Sequence, residues 1–203
     1  GFYNRLYFGV TICNFYLEEA SEYDATMTAE VRFLRALYYY HLMDCFGNIP
    51  FLTVVSSEPA PQATRQEVYN FIESELLEIE GTMSAPMTGT YGRADQAAAW
   101  MLLSRLYLNA EVYTGTAQWA KAAEYAQKIM NSAYKLHTQG SHDAVNNKDW
   151  SAYQMLFMGD NGENGAQCEA ILPLLQDGIT TTSWGTSLFL MASTFKDDMT
   201  IVG

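Results

Sequence analysis

The stretch Ala29–Pro50, AEVRFLRALYYYHLMDCFGNIP, limits what this chain can fold into more than any other. Apolar side chains at Val31, Leu34, Tyr38, Leu42 and Cys45 recur three or four residues apart. That is the spacing of one buried face of a helix. Gly47 can adopt the left-handed conformation that ends a helix, and Pro50 cannot continue one. The segment therefore reads as a long amphipathic helix, a hard stop and an extended exit. Arg32 and Arg35 lie among its apolar residues and three tyrosines follow them, yet nothing in it has the look of a catalytic constellation.

The same periodicity extends along most of the chain. Leu6, Val10, Cys13 and Leu17 give residues 2–20 helical spacing. Pro50, Pro59 and Pro61 make 48–63 an extended connection. Thr64 and Glu67 form a capping-box signature ahead of a helix with its apolar face at Val68, Phe71, Ile72, Leu76 and Ile79. A loop rich in Gly, Thr and Pro covers 81–92, and a fourth helix is expected over 93–113. The fifth, over 117–131, carries Ala122 and Ala126 four apart, which allows close helix approach. Arg35 and Arg105 sit in similar Leu/Tyr settings 70 residues apart. Two tetratricopeptide units would span about 68 residues. The expected fold is thus mainly α, built of tetratricopeptide-like helix pairs over 1–136. Residues 137–203 read as an irregular region: a polar stretch over 137–150, a short helix over 150–158, an acidic turn, and short strands at 170–175 and 187–191.

Composition excludes several functions. The chain has 203 residues and a net charge of −12, so the clustered cations that phosphate binding needs are lacking and a nucleic-acid partner is not expected. Cys13, Cys45 and Cys168 are odd in number and far apart. No CxxC pair or Cys/His cluster points to zinc, and the helical settings of Cys13 and Cys45 predict buried free thiols. No apolar run reaches the length of a membrane-spanning helix. The chain opens inside a helical pattern and stops without a closing element, so it reads as a fragment and a missing leader carries no weight.

Few residues offer chemistry. His137 and His142 lie in a polar segment without a HExxH-type helix and read as loop residues; His41, inside the tyrosine run, reads as packed. Asp160 and Glu163 in DNGENG supply oxygen ligands of the kind calcium takes, but not at EF-hand spacing. Arg32, Arg35 and Arg105 read as buried cations tied to carboxylates or helix-end carbonyls. Trp100, Trp119 and Trp150 fall in helical patterns and read as packing residues. Trp184 differs. It stands between Ser183 and Gly185 in a loop of small polar residues, with little around it to build a core. Either its indole stacks on a ligand or it anchors the loop.

These segments, taken in order, resemble the SusD/RagB family. The residues that carry the resemblance are AEVRFLRALYYYHLMDCFGNIPF, EVYNFIESELLEIE, YGRADQAAAWMLLSRLYLNAEVYTG, WAKAAEYAQKIMNSAYKL, YQMLFMGDNGEN and EAILPLLQDG, which span nearly the whole chain. The resemblance implies a SusD-like α–α superhelix with an irregular region bearing the ligand surface. It implies a non-enzyme: a glycan-binding lipoprotein of the outer membrane, lipid-anchored outside the segment seen here and facing outward. Such proteins deliver oligosaccharides to a TonB-dependent SusC-like transporter. Among starch-binding members, an aromatic in the loop after the E-I-I-L-P-like strand joins an arc that follows the curve of an α-glucan; Trp184 aligns there, where those members carry Tyr. The acidic loop of those members contributes to a calcium site, which implies Asp160 and Glu163 as metal candidates although Gly162 replaces an acidic residue. No cofactor is required beyond such a structural calcium.

Starch-like α-glucan is therefore the favoured ligand. Two other readings compete with it. A helical-repeat adaptor for a protein partner would use the helix pairs and the acidic surface. A glycoside hydrolase would use the aromatics and carboxylates, but sequence spacing identifies no acid/base pair among the latter.

Overall fold

The helices begin where the sequence supplies a cap and end where glycine or loop chemistry stops them. The structure, a computed structural model, describes residues 1–175. Trp184, its loop and the expected strand at 187–191 lie outside the described residues. Helix α1 (Phe2–Glu19) buries Leu6, Val10, Cys13 and Asn14. Helix α2 (Ala25–Phe46) starts at Asp24, whose carboxylate accepts from Met27 N at 2.9 Å, and ends at Gly47 with φ 76°. A side chain at that φ would be strained, so glycine suits this stop. Helix α3 (Arg65–Ile79) carries the expected capping box, with Thr64 and Glu67 each satisfying the other's backbone N–H. Helix α4 (Gln96–Leu108) is capped by Asp95, and a short α5 (Ala110–Thr114) and then α6 (Trp119–Met130) follow.

Packing joins these elements in pairs: α1 along α2, α2 along α3, and α4 along α6. This is the mainly helical, paired arrangement that the periodicity predicts. The core lies between them, at Phe33, Ala36, Tyr39, Leu42 and Met43 of α2, Ile72 and Leu76 of α3, and Leu103 and Leu106 of α4. Contact between α1 and α2 is close at Gly9, where an added Cβ would stand 2.5 Å from the Tyr38 ring.

The extended exit of α2 is fastened by its carbonyls. Tyr7 Oη donates to Pro50 O at 2.7 Å, Tyr39 Oη to Leu52 O at 2.5 Å, and Asn14 Nδ2 to Leu52 O and Val54 O at 3.1 and 3.3 Å. Strands β1 (Ile49–Pro50) and β2 (Gln62–Ala63) pair antiparallel at the two ends of this excursion. Tyr7, Tyr39 and Asn14 thus satisfy backbone groups that a proline-rich segment cannot satisfy by itself.

Several expectations are corrected. The buried face of α2 is broader than the stripe read from periodicity: Val31, Leu34 and Tyr38 are only half-buried and Cys45 is exposed. Neighbours on both sides bury α2, so apolar spacing marks only one edge of its covered arc. Cys13 does behave as expected; burial pushes its thiol up to about 11 against the opposing charge of Arg35, so it stays protonated. The helix expected over 93–113 breaks at Asn109, whose side-chain amide donates to Arg105 O at 3.0 Å and competes with the helical ladder. The polar stretch 137–150 contains a hairpin, β3 (Ser141–Asp143) against β4 (Lys148–Trp150). Residues 170–175 form no strand; Ile171 and Leu172 lie partly buried against the core after a 3-10 turn at Ala166–Glu169.

Candidate functional site

Arg32, Arg35 and Glu75 form the most connected polar cluster of the helical frame. Arg35 Nη2 donates to Glu75 Oε2 at 2.8 Å, and its Nη1 donates to Asn14 Oδ1 at 3.0 Å and Thr53 O at 3.2 Å. Arg32 Nη2 donates to Glu75 Oε1 at 2.6 Å and to Glu78 Oε2 at 2.5 Å. Burial pushes the Glu75 carboxyl up, but the hydrogen bonds and charges of the two arginines outweigh it and hold it below the ordinary 4.5. The Arg35 guanidinium also lies over the Phe71 ring at 5.4 Å. With every acceptor committed to its neighbours, this cluster joins α1, α2 and α3 and is not a ligand site. Arg105 departs from the expectation: it is exposed, over Tyr40 at 5.8 Å. His41 is half-buried, and burial together with Arg105 lowers its affinity for a proton.

The chain after α6 is tied to this frame by few bonds. Tyr134 Oη donates to Asp95 Oδ2 at 2.8 Å, the same carboxylate that caps α4. Within the segment after α6, Lys135 N donates to Cys168 O at 3.0 Å, and His137 N to Glu169 Oε2 at 2.9 Å. His137 is half-buried, not a free loop residue, and its Nε2 has no partner among the described residues. His142 is exposed and lies 2.7 Å from Asp149 across the β3–β4 hairpin.

Beyond the hairpin, helix α7 (Ala152–Met155) is one short turn with its own capping box, Ser151 with Gln154. It buries Met155 and leaves Tyr153 71% and, just past its end, Phe157 72% exposed. Their ring centroids are 5.1 Å apart at an interplanar angle of 63°. Trp150, Asp143, Gln154 and Asp160 join them around an open groove of about 580 Å³. Lys148 Nζ stands 3.8 Å from the centroid of Trp150, so one face of that indole is covered. Sequence reading passed over Tyr153 and Phe157, although two aromatics four apart on a helix too short to bury both are a visible signal.

The tryptophans divide. Trp100 packs against the core as expected, its Nε1 donating to Glu80 Oε2 at 2.9 Å. Trp119 does not; it is 61% exposed at the start of α6. Trp150 is half-buried at the end of β4.

Asp160 and Glu163 lie exposed in the turn after Phe157. Glu163 N and Asn164 N both donate to Asp160 O, and Asn164 Nδ2 donates to Asp160 Oδ1 at 3.0 Å. Amide donors therefore engage the Asp160 carbonyl and one of its carboxylate oxygens. Among the described residues no three His, Cys, Asp or Glu side chains are grouped to hold a metal.

With this geometry in view, comparison with known proteins is decisive about kinship. A family model described as starch-binding, associating with the outer membrane, matches residues 1–108. The starch-binding protein SusD of Bacteroides thetaiotaomicron is 43% identical over 197 residues, covering 95% of this chain and 33% of that protein. The chain thus spans about a third of the length of that curated relative. A laminarin-binding SusD-like protein superposes with a TM-score of 0.67 at 26% identity, covering 91% of this chain and 39% of that one. A SusD superfamily protein from Parabacteroides distasonis does so with a TM-score of 0.57 at 31% identity, covering 66% and 32%. The chain belongs to the SusD-like family, whose members are non-catalytic carbohydrate-binding proteins.

Proposed function

We propose that this chain is part of a cell-surface protein that binds oligosaccharides without cleaving them and passes them to a SusC-like TonB-dependent transporter. The observation that carries the reading is the 43% identity to a starch-binding protein along 95% of the chain. Starch-like α-glucan is the favoured ligand on that ground. Outer-membrane attachment through a lipid, facing outward, belongs to the same proposal; no helix among the described residues is long and apolar enough to cross a membrane.

In this reading, residues 1–136 are scaffold and 137–203 carry ligand-binding groups. The Arg32–Arg35–Glu75 cluster supports the first half, since its ion pairs hold α2 to α3. The exposed rings of Tyr153 and Phe157 support the second. Trp184 remains the proposed sugar-stacking residue: it stands among small polar residues in the sequence, and an indole can stack on the face of a pyranose. No calcium is needed for this chemistry.

Calorimetric titration of the full chain with maltooligosaccharides and a panel of other glycans tests the reading. Saturable binding without release of reducing ends supports it. Absence of binding to every glycan, or hydrolysis of any, contradicts it.

A further inference from the structure

We propose that Tyr153 and Phe157, with Trp150 as a side wall, form a sugar-binding cleft, and that its ligand is a bent, neutral glucan. The inference rests on the glycan-binding reading above and adds to it a site and a shape preference.

The two rings are exposed on a pedestal that is held at both ends. The Ser151–Gln154 capping box fixes the start of α7: Gln154 Oε1 accepts from Ser151 N at 2.9 Å, and Ser151 Oγ accepts from Gln154 N at 3.2 Å. At its end, Asn164 Nδ2 donates to Met155 O at 3.1 Å and Asn161 Nδ2 to Leu156 O at 2.8 Å. Met155 anchors the turn from below at 4% exposure. Two large aromatics, each more than two-thirds exposed on a fixed turn, add nothing to the core. Preorganisation of that kind lowers the ordering cost of binding.

The groove's polar groups narrow the ligand. Its lining includes Asp143, Gln154 and Asp160, and the neighbouring cation Lys148 lies over the Trp150 ring. Asp143 accepts from Val145 N, Asn146 N and Asn146 Nδ2, which fix its carboxylate and hold its pKa down. Asp143 and Asp160 both retain acceptor capacity beyond these bonds. Fixed carboxylates beside aromatic faces suit a partner rich in hydroxyl donors and apolar C–H faces. They repel phosphate, sulfate or uronate groups. A volume of about 580 Å³ lies in the range of small-ligand sites. A stable protein partner would need roughly 800 Å² on each side, more than this groove supplies.

Ring geometry narrows it again. The Tyr153 and Phe157 planes meet at 63°. Consecutive sugars of a flat ribbon-like glycan present near-parallel faces and cannot lie flat on both rings. A chain that turns between residues can place one sugar on each. Lys148 covers one face of Trp150, so the indole bounds the cleft and is not a third platform.

The test is calorimetry on the full chain with maltoheptaose and laminariheptaose as bent probes, cellohexaose as a flat one and oligogalacturonate as an anionic one. Tyr153→Ala and Phe157→Ala should each weaken binding of a bent probe about three- to tenfold. Tyr153→Phe should retain wild-type affinity, and circular dichroism and Tm should be unchanged in all three. If the Tyr153→Ala/Phe157→Ala double variant binds as the wild type does, the cleft is refuted while the glycan-binding reading stands. Equal loss in Tyr153→Phe and Tyr153→Ala refutes stacking, and tighter binding of cellohexaose or oligogalacturonate refutes the shape and charge assignment. Wild-type protein that binds no glycan refutes both readings together.

Discussion

Glu75 sits between α2 and α3 with one oxygen on Arg32 and the other on Arg35, its side chain only 9% exposed. Removing it strands a guanidinium that is equally buried. Glu75→Ala should therefore cost about 3 kcal/mol, read from chemical denaturation. The charge also gives this site a pH signature. Because the folded-state pKa of Glu75 lies below the ordinary 4.5, its contribution is full above that value and is lost as pH falls below it. A Glu75→Gln variant should show a shallower acid-side loss of stability than the wild type; identical profiles would contradict the assignment. Asp160 and Glu163 are tested by chelation of calcium: an unchanged Tm would rule out a structural cation there, and a calcium-dependent rise in Tm that Asp160→Asn abolishes would establish one. At this scale the sequence was partly readable. Arginines among apolar residues signalled buried ion pairs at Arg32 and Arg35, but the same signal failed at Arg105, which is exposed. Local spacing shows that a cation lies near a buried face, but not whether a distant helix brings it a carboxylate. For Trp184, loss of the indole in Trp184→Ala should weaken glycan binding by on the order of 1 kcal/mol or more, measured by titration.

Helix termini and helix contacts followed rules that act within a few residues, and these were the legible elements. The Thr64–Glu67 box and the Gly47 stop are found where the sequence places them. The break at Asn109 was not, because the expected helix kept its apolar register through Ala110 and Tyr113, both buried in α5. Only the amide of Asn109, bonded back to Arg105 O, marks the interruption. The hairpin at Ser141–Trp150 was missed for a different reason. Its strands lack the alternation of a half-buried sheet, and its turn depends on Asn147 at φ 48°, a conformation asparagine tolerates better than most residues. Close packing between helices is a further element-scale property, and Gly9 tests it. Helix propensity alone favours Gly9→Ala by about 1 kcal/mol. Crowding against the Tyr38 ring opposes this by about 1–3 kcal/mol. The expected outcome is a net destabilisation of about 1 kcal/mol in a thermal or denaturant melt, and a stabilised variant would show that α1 and α2 can part at little cost.

Across the whole molecule, the helical pairs and the irregular segment after α6 have different economies. The pairs enclose Tyr39, Tyr69 and Tyr107 almost fully but leave Phe8, Phe15 and Trp119 exposed. After α6 the aromatics turn outward at Tyr153 and Phe157, over a frame held by Tyr134, Lys135 and His137. Scaffold and family were legible because the motifs that define them are packing motifs, spread in order along the chain and matched by the starch-binding relative over 95% of its length. The ligand-facing residues were less so, because exposed aromatics leave no periodic trace. Trp184 stood out by its setting alone, and Tyr153 and Phe157 were absorbed into a helix. Glycan binding by this member of the family is tested most directly by isothermal titration of the full chain with maltoheptaose. Saturable heat that weakens in Trp184→Ala is expected. A flat titration with maltoheptaose and with every other glycan offered would contradict it.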